Sequence, residues 1–354
     1  MDRVVVGLSG GVDSAVAAYL LKKKGYDVIG MTMQICVDPA TPWEIEETAA
    51  AKHVADHLGI PLLLEDFRSS FRREVEDHFV AEYLRGRTPN PCILCNREIK
   101  WKALLHCAEE NGAAYVATGH YARVRRCANG RYAAALSGSA AKDQSYVLFL
   151  LSQEALARTI FPVGEYEKPE IRRIAEEAGI PAAHTPDSQD ICFVSANDYA
   201  AYLASRVPER MPGEGNYLSA SDGSVVGKHR GYVHYTVGQR KGLGIAAGHP
   251  LYVSEIRPES NEVVVSDEDV YGETLLVDGV NEMGLSPDEL PEGESLACIG
   301  KVRYAHRGTP CRITRNGRDS LRVVFDEPVR AITPGQAAVF YDAQGTVLCG
   351  GWIR

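Results

Sequence analysis

The chain has 354 residues, of which 45% are hydrophobic and 24% charged, and its formal net charge is −9. This composition is typical of globular proteins and argues against disordered, collagen-like or coiled-coil chains, and the length favours roughly two to three domains. No apolar run approaches the roughly 18 residues of a membrane span, and the first residues do not resemble a signal peptide. The nine cysteines, an odd number spread over a long chain, indicate free or catalytic thiols in a reducing compartment. We therefore expect a cytoplasmic protein with no membrane partner.

Strand and helix patterns alternate over the first part of the chain. They predict strands at 4–7, 28–33, 61–65 and 115–118, and helices at 14–24, from about 43 to 58, at 69–85 and at 96–111. This alternation is typical of an α/β domain with a doubly wound parallel sheet. Ligands of such sheets bind beyond the carboxyl ends of the strands, so the loops after Gly7, Met33 and Thr118 are the predicted binding region.

The character of the sequence changes after about Ile191, where glycine and proline recur every few residues. From about Ser254 onward, short alternating runs separated by turn residues indicate a small β-barrel or sandwich, and we expect the barrel. The predicted domains are an α/β domain at 1–193, a small middle domain at 194–254 and a C-terminal β-barrel at 255–354.

Basic residues are concentrated in two segments of this acidic chain. Residues 85–131 hold nine Lys or Arg against three acids, and residues 223–254 hold four Lys or Arg and no acid. Basic patches on an acidic body can direct a polyanion such as RNA to one face. Ordinary solvated surface is the alternative interpretation, and charge counts alone favour it.

Residues 9–14 (SGGVDS), between the first strand and the first helix, form the sharpest motif. Its glycines permit a tight turn and close backbone approach, and the helix N-terminus behind them is an anion site. Ser9 and Ser14 add hydroxyl donors, and Asp13 would cap the helix or help to hold Mg²⁺ near a phosphate. The pattern matches neither the Walker nor the Rossmann glycine motif. It resembles the pyrophosphate loop of enzymes that adenylate a carbonyl oxygen and release pyrophosphate.

Two later features suit the same nucleotide. Met33 ends the second predicted strand, where an adenine would lie against its thioether. Gly119, in the segment 118–121 (TGHY), would allow close approach to a ribose or phosphate. His120 in this segment is as readily explained as a structural histidine.

Three cysteines are candidate reactive thiols. Cys92 and Cys95 lie at a predicted helix start, where the helix N-terminus, Arg97 and Lys100 should give them thiolate character. Such a pair suits a redox dithiol, half of a zinc site or iron–sulfur ligands, and the second pair that a structural zinc needs is absent from the sequence. Cys192 lies in a polar loop at the end of the α/β domain. The remaining cysteines are expected to be structural: Cys36, Cys107, Cys127, Cys298, Cys311 and Cys349.

Further motifs follow in a fixed order along the chain. They are 86–91 (GRTPNP), 94–96 (LCN), 117–121 (ATGHY), 142–146 (KDQSY), 191–193 (ICF), 236–244 (TVGQRKGLG), 302–304 (VRY) and 333–336 (TPGQ). Together with the glycine loop, this set resembles the bacterial tRNA-specific 2-thiouridylases over essentially the whole length.

The resemblance implies that ATP, with Mg²⁺, activates the 2-carbonyl oxygen of the wobble uridine of tRNA as an adenylate. Sulfur carried as a persulfide on Cys192 then displaces AMP, and Cys95 assists sulfur release or closes a disulfide with Cys192. A cysteine desulfurase or sulfur-relay protein is the implied sulfur source. The resemblance assigns ATP to Gly7, Leu8, Ser9, Gly10, Gly11, Val12, Asp13, Ser14, Met33 and Gly119, the target base to Asn90, Pro91 and Cys92, and tRNA to Lys142, Asp143, Gln144, Arg303 and Tyr304.

The sequence departs from the family at Cys92, where many members have aspartate. Three thiols, Cys92, Cys95 and Cys192, are therefore available. Related thiolation enzymes use three cysteines to hold a four-iron cluster whose open iron binds sulfide, and the spacing here permits this alternative. We expect the persulfide mechanism.

The sequence alone leaves two other functions as alternatives. A non-catalytic, nucleotide-sensing RNA-binding protein would keep the basic segments and the loop but would not need Cys95 and Cys192. A different adenylating ligase, such as an amidotransferase-type synthetase, would need a glutaminase module or an amino-acid pocket, and the sequence indicates neither.

Overall fold

The computed structural model of the chain describes residues 1–35, 47–186, 191–194 and 198–354. Three features of the sequence lie outside the described residues: Cys36, the predicted start of the second helix near residue 43, and the polar residues 187–190 before Cys192. No helix in the described part of the chain is long and apolar enough to cross a membrane.

Parallel strands form the sheet of the N-terminal domain, as predicted. The strands of this part of the chain are β1 (Arg3–Gly7), β2 (Asp27–Gln34), β3 (Leu62–Asp66), β4 (Tyr115–Ala117), β5 (Arg123–Arg126), β6 (Tyr132–Ala135) and β7 (Thr159–Ile160). Five of them pair in the order β3-β2-β1-β4-β7, all parallel, and β5 and β6 form a separate hairpin. The order changes direction at β1, so the crevice beyond the carboxyl ends of β1 and β4 is the expected ligand site.

Helices cover both faces of this sheet. The α-helices of the described residues are α1 (Val12–Lys23), α2 (Glu47–Leu58), α3 (Arg68–Phe71), α4 (Asp77–Leu84), α5 (Pro91–Leu94), α6 (Lys102–Glu110), α7 (Gln153–Ala157), α8 (Lys168–Glu177) and α9 (Tyr199–Arg206), of which α4 and α9 pack with the middle part of the chain instead. Successive β1 residues bury opposite faces: Val4 and Val6 pack in one apolar cluster with α1, and Val5 packs in another with Leu104 of α6. This two-sided burial explains why β1 is an uninterrupted apolar run.

Two of the predicted helices widen into π-helical turns. The predicted helix at 69–85 consists of α3, a π-helical segment at Arg72–Glu76 and α4. The helix predicted at 96–111 begins earlier, with α5, and continues through a π-helical segment at Cys95–Trp101 into α6. Wide turns of this kind are frequent at functional sites, and the second contains Cys95.

A four-stranded sheet forms the middle of the chain. Its strands are β8 (Gly215–Ser219), β9 (Val225–His229), β10 (Tyr252–Arg257) and β11 (Glu262–Ser266), in the order β10-β11-β8-β9. The division predicted between residues 254 and 255 thus lies inside β10. Since β10 and β11 complete this sheet, we propose that the middle domain extends to Ser266.

The C-terminal part is a closed six-stranded barrel, as predicted. Its strands are β12 (Tyr271–Glu282), β13 (Ser295–Lys301), β14 (Thr309–Arg315), β15 (Ser320–Arg330), β16 (Ala337–Tyr341) and β17 (Val347–Ile353), closed in the order β12-β15-β14-β13-β16-β17. Side chains such as Phe325 and Phe340 fill its interior. Closure removes the exposed strand edges that an open sheet would carry.

The barrel packs directly against the N-terminal domain. The hydroxyl of Tyr146 donates to the carbonyl of Ala337 at 2.8 Å, and Asn281 Nδ2 donates to the carbonyl of Phe149 at 2.6 Å. The barrel therefore borders the residues of the 142–146 motif.

Candidate functional site

A tight turn joins β1 to α1 and leaves the start of α1 open. Gly10 has φ +78°, and a Cβ there would lie 2.6 Å from the Cβ of Ala50, so the turn requires glycine. Gly11 is the N-cap of α1 and provides no side-chain hydrogen bond to it. An uncapped helix start combines unpaired N–H groups with the positive end of the helix dipole. The segment predicted to bind phosphate thus has a backbone suited to an anion.

The two serines of this loop hydrogen-bond within the loop itself. Ser14 Oγ donates to the carbonyl of Gly11 at 3.1 Å and accepts from the N–H of Ser9 at 3.2 Å. The two hydroxyl oxygens lie 3.2 Å apart, and Ser14 is buried. These bonds fix the shape of the turn, so either hydroxyl would have to exchange a partner before it could bind a ligand.

Asp13, in the first turn of α1, has two partners that the sequence analysis did not predict. Both of its carboxylate oxygens lie 2.8 Å from Nζ of Lys168, and Oδ1 accepts a hydrogen bond from the hydroxyl of Tyr121 at 2.7 Å. Its side chain therefore does not cap α1. Lys168, the first residue of α8, was missed because it lies 155 residues further along the chain. A lysine in the first turn of a helix, where the dipole disfavours a cation, was the available signal.

The other two predicted nucleotide positions also adjoin this loop or the cysteines. A Cβ on Gly119 would lie 2.6 Å from backbone atoms of both Asp13 and Ser14. Glycine is thus required there because the loop after β4 packs against the start of α1. Met33, within β2, is partly buried and packs against an apolar cluster that contains Cys95.

The loop before Cys92 is held from two sides. Asn90 is the N-cap of α5, where its Oδ1 accepts the N–H of Cys92 at 3.1 Å, and Pro91 occupies the first turn. From the barrel, Gln336 Nε2 donates to the carbonyl of Thr88 at 2.6 Å, and the N–H of Thr88 donates to the carbonyl of Pro334 at 2.9 Å. The 333–336 motif thereby fixes the 86–91 motif, and Asn90 fixes the start of α5.

The three candidate thiols lie in one neighbourhood. Cys95 is buried in a cluster against which Phe193 packs, and Cys192 precedes Phe193 and is exposed. Cys192 acts electrostatically on both Cys92 and Cys95. Cys95 is a free thiol here, so the disulfide with Cys192 that the resemblance implies is not formed in this structure.

Burial of the two helix cysteines outweighs the charges near them. Desolvation raises the pKa of Cys95 to about 12, and the opposing attraction of the Lys100 ammonium is smaller. The same two causes leave the pKa of Cys92 raised, although its side chain reaches solvent, because protein surrounds it on most sides. Arg97, the other cation expected to act on these thiols, forms an ion pair with Glu98. The prediction that these thiols have thiolate character near neutral pH was therefore wrong, because it counted the helix start and the cations without the burial.

This pKa predicts how Cys95 reacts with iodoacetamide. Only the thiolate reacts, so the alkylation rate should rise about tenfold per pH unit from about pH 7 to about pH 10, without a plateau. Peptide mass spectrometry of samples quenched over time gives the rate for Cys95 alone. The same peptide in denatured protein is the control, whose rate should level off above an ordinary thiol pKa of about 8.5. A plateau near neutral pH in the folded protein would contradict the assignment.

The described residues do not bring three metal-ligating side chains together. No group of three or more His, Cys, Asp or Glu side chains within 1–35, 47–186, 191–194 and 198–354 is arranged to hold a metal ion. Cys92, Cys95 and Cys192 influence one another electrostatically but do not form such a ligand set.

The residues predicted to contact tRNA meet where the barrel packs on the N-terminal domain, and two of them are used internally. Asp143 is buried, accepts the N–H of Ser137 at 3.0 Å and the hydroxyl of Ser145 at 2.8 Å, and lies 3.9 Å from Nζ of Lys301. Gln144 Oε1 accepts the N–H of Tyr121 at 2.9 Å.

Of the other members of this group, Tyr304 is exposed, and Lys142 and Arg303 are half-buried. Tyr304 is 43% exposed, its ring lies 6.3 Å from that of Tyr146, and it is close enough to Cys92 for the two to interact electrostatically. Arg303 donates to the carbonyl of Arg330 at 2.7 Å. The loop between β13 and β14 thus borders Cys92.

Lys100 and His120 connect the thiols to the phosphate loop. Lys100 lies near enough to lower the pKa values of Cys92, Cys95 and His120. Burial holds the pKa of His120 well below its usual value, and its Nδ1 bonds with Thr118 Oγ1 at 2.8 Å. The residue before His120 is Gly119, which packs on the start of α1.

Three family models together match almost the whole chain. They are described as a tRNA methyl transferase HUP domain at residues 2–196, a tRNA methyl transferase PRC-barrel domain at 200–267 and an aminomethyltransferase beta-barrel domain at 274–353.

Curated relatives are similar over their full length. The tRNA-specific 2-thiouridylase MnmA of Lachnoclostridium phytofermentans is 48% identical over 361 residues, which cover 99% of each chain. The protein of the same name from Carboxydothermus hydrogenoformans is 46% identical over 360 residues, which cover 99% of this chain and 96% of the relative. Among solved structures, a 4-thiouridine synthetase in complex with RNA and ATP is 23% identical, covering 59% of this chain and 51% of that chain with a TM-score of 0.37.

Proposed function

The chain belongs to the family of tRNA-specific 2-thiouridylases, and from this premise we propose that it replaces the 2-oxygen of the wobble uridine of tRNA with sulfur at the expense of ATP. The relatives that carry this name align from end to end at 48% and 46% identity. We propose that the N-terminal domain performs both adenylation and sulfur transfer, and that the middle domain and the barrel contribute contacts to tRNA.

One observation supports this proposal most strongly. The open start of α1 packs against Gly119, and the next residue, His120, is influenced by the same Lys100 that acts on Cys92 and Cys95. A phosphate site beside thiols is what an enzyme needs if it activates a carbonyl with ATP and then delivers sulfur to the same carbon. A nucleotide-sensing RNA-binding protein would not need the thiols.

The first half-reaction is adenylation. The 2-carbonyl oxygen of the uridine attacks the α-phosphorus of ATP, the bond from that phosphorus to the β-phosphate bridging oxygen breaks, and pyrophosphate leaves. The backbone of the 8–12 turn and the start of α1 would hold the phosphates, and Met33 and Gly119 would border the nucleoside. Asp13 already accepts bonds from Lys168 and Tyr121, so Mg²⁺ in this site would be bound by the phosphates of ATP.

The second half-reaction moves sulfur. The terminal sulfur of a Cys192 persulfide attacks C2 of the adenylate, and AMP leaves with the former 2-oxygen. The Cys95 thiol, after losing its proton, attacks Sγ of Cys192, which breaks the S–S bond and leaves the terminal sulfur on the base. Cys95 and Cys192 are then joined by a disulfide, which a dithiol reductant returns to two thiols. A cysteine desulfurase or a sulfur-relay protein would restore the persulfide.

Cys92 would lie against the target base together with Asn90 and Pro91. Its raised pKa leaves it a neutral thiol near pH 7, so it would face the base as a hydrogen-bond donor rather than as a thiolate. The cluster alternative requires Cys92, Cys95 and Cys192 as iron ligands, and the described residues do not form such a set. We therefore favour the persulfide mechanism.

The salt dependence of binding tests the tRNA contacts. Each of Lys142→Ala and Arg303→Ala should lower the slope of log affinity for tRNA against log salt by about one unit, because one phosphate contact is lost. ATP affinity should not change. Arg322, exposed on β15, provides the control: Arg322→Ala should leave the slope unchanged. Unchanged slopes in both test variants would place the RNA elsewhere.

Nucleoside analysis of tRNA tests the proposed function as a whole. A strain that lacks this gene should lose 2-thiouridine derivatives at the wobble position and regain them when the gene is restored. Since two of the family models are described as methyl transferases, the same chromatograms should be examined for methylated uridines. Loss of a methylated uridine with intact 2-thiouridine would contradict the proposal.

A further inference from the structure

The carboxylate of the phosphate loop is matched by a nearly buried lysine from a distant helix. Nζ of Lys168 lies 2.8 Å from each oxygen of Asp13, and Lys168 is 9% exposed. The hydroxyl of Tyr121 donates to the same carboxylate at 2.7 Å, and the Lys168 ammonium lies 6.0 Å from the centre of the Tyr121 ring. Asp13 is thus held on two sides by groups that come from outside the loop.

Helix stability does not account for this lysine. Lys168 begins α8, where the helix dipole disfavours a positive charge. The helix start is already stabilised by a capping box between Glu167 and Glu170, and by Pro169 in the first turn. Burying an ammonium group at this position is unfavourable unless an anion compensates it. This placement brings the compensating charge to Asp13, 2.8 Å away.

In the loop itself, the negative charge of Asp13 opposes the binding of an anion at the helix start, and Lys168 compensates that charge. The open helix start attracts an anion, yet Asp13 places a carboxylate in the first turn of the same helix. A polyphosphate at this helix start would be repelled by an uncompensated carboxylate in a partly buried site. Neutralising Asp13 is a condition for tight binding of a polyanion.

We propose that Lys168 is a positioning residue of the ATP site, whose ammonium neutralises Asp13 and so allows the phosphate loop to accept the triphosphate. This inference rests on the proposed function for the identity of the anion. It assigns to α8 a role in nucleotide affinity and predicts a specific interaction between two residues 155 positions apart.

The test is a double-mutant comparison of ATP affinity by calorimetry. Lys168→Met keeps the aliphatic stem and removes the charge, so it should weaken ATP binding by about 10- to 100-fold, the range expected when a buried charge loses its partner. Lys168→Arg should bind within a few-fold of the original chain. Adding Asp13→Asn to Lys168→Met removes the uncompensated carboxylate, so the double variant should recover most of the lost affinity. A lysine that merely held α8 in place would show no such recovery.

Lys52 provides a matched control, because it pairs with Asp56 at 3.0 Å while both side chains are exposed. Lys52→Met should leave ATP affinity unchanged. If Lys168→Met does not fold, the double variant, in which residue 13 carries no uncompensated charge, should fold and bind ATP within a few-fold of the original chain. Loss of ATP binding in the double variant would overturn the inference, as would ordinary affinity in Lys168→Met. Failure of the unaltered chain to bind ATP would overturn the proposed function as well, so the two failures are distinguishable.

Discussion

Asp13→Ala should abolish adenylation while the fold and ATP binding persist. The carboxylate holds the Lys168 ammonium and the Tyr121 hydroxyl beside the start of α1. Without the carboxylate, neither group keeps a fixed position near the reacting phosphorus. We expect the rate of tRNA-dependent AMP formation to fall by at least about 10²–10³-fold, the range for loss of a preorganised electrostatic group. AMP release and pyrophosphate exchange measure this rate.

The exposed pair Lys52–Asp56 again provides the control for this variant. Asp56→Ala should adenylate tRNA at the original rate, because its carboxylate pairs only at the surface of α2. Thermal unfolding should show that Asp13→Ala remains folded. Normal AMP formation by the folded Asp13→Ala variant would show that the loop has no role in adenylation.

Cys192→Ser should eliminate thiolation and leave adenylation intact, because the thiol and the loop act in different half-reactions. With ATP, tRNA and a persulfide donor, this variant should release AMP and pyrophosphate slowly, as the adenylate hydrolyses, and form no 2-thiouridine. Nucleoside mass spectrometry of the tRNA measures the loss. Cys107→Ser is the control: its thiol is buried among apolar residues of α6, and thiolation should persist.

Cys95→Ser should stop the reaction one step later. The sulfur would already be bonded to C2 of the base but still joined to Sγ of Cys192, so tRNA should remain attached to the protein through a disulfide. Denaturing gels should show this adduct, and dithiothreitol should release it as thiolated tRNA. Catalytic turnover by Cys95→Ser, or an adduct that also forms in Cys192→Ser, would contradict the assigned roles.

The sequence was sufficient for the parts of the fold that depend on local pattern. The apolar run of β1 and the glycine turn after it predicted a parallel sheet with an anion site, and both the sheet and the open start of α1 are present. The boundary at residue 254 was less predictable, because β10 and β11 alternate like barrel strands and join the middle sheet only through the long-range pairing of β11 with β8.

The site was harder to predict wherever burial or distant contacts decide the chemistry. The pKa of Cys95 depends on apolar neighbours from several elements, which a helix-start pattern does not show. Counts of basic residues likewise do not show which of them are available to RNA. Arg125 donates to the carbonyl of Gln344 and Arg131 to that of Met283, so both of these half-buried side chains bind the barrel.

A single-turnover transfer experiment tests whether the sulfur comes from a persulfide on Cys192 or from an iron–sulfur cluster. The protein, purified without oxygen and analysed for iron, is loaded with labelled sulfur from a cysteine desulfurase and freed from the donor. ATP and tRNA are then added. We expect iron-free protein to carry the label on Cys192 and to transfer it to one 2-thiouridine per labelled chain, with one AMP released. Transfer that requires about four irons per chain and is supported by free sulfide would contradict this expectation and establish the cluster mechanism.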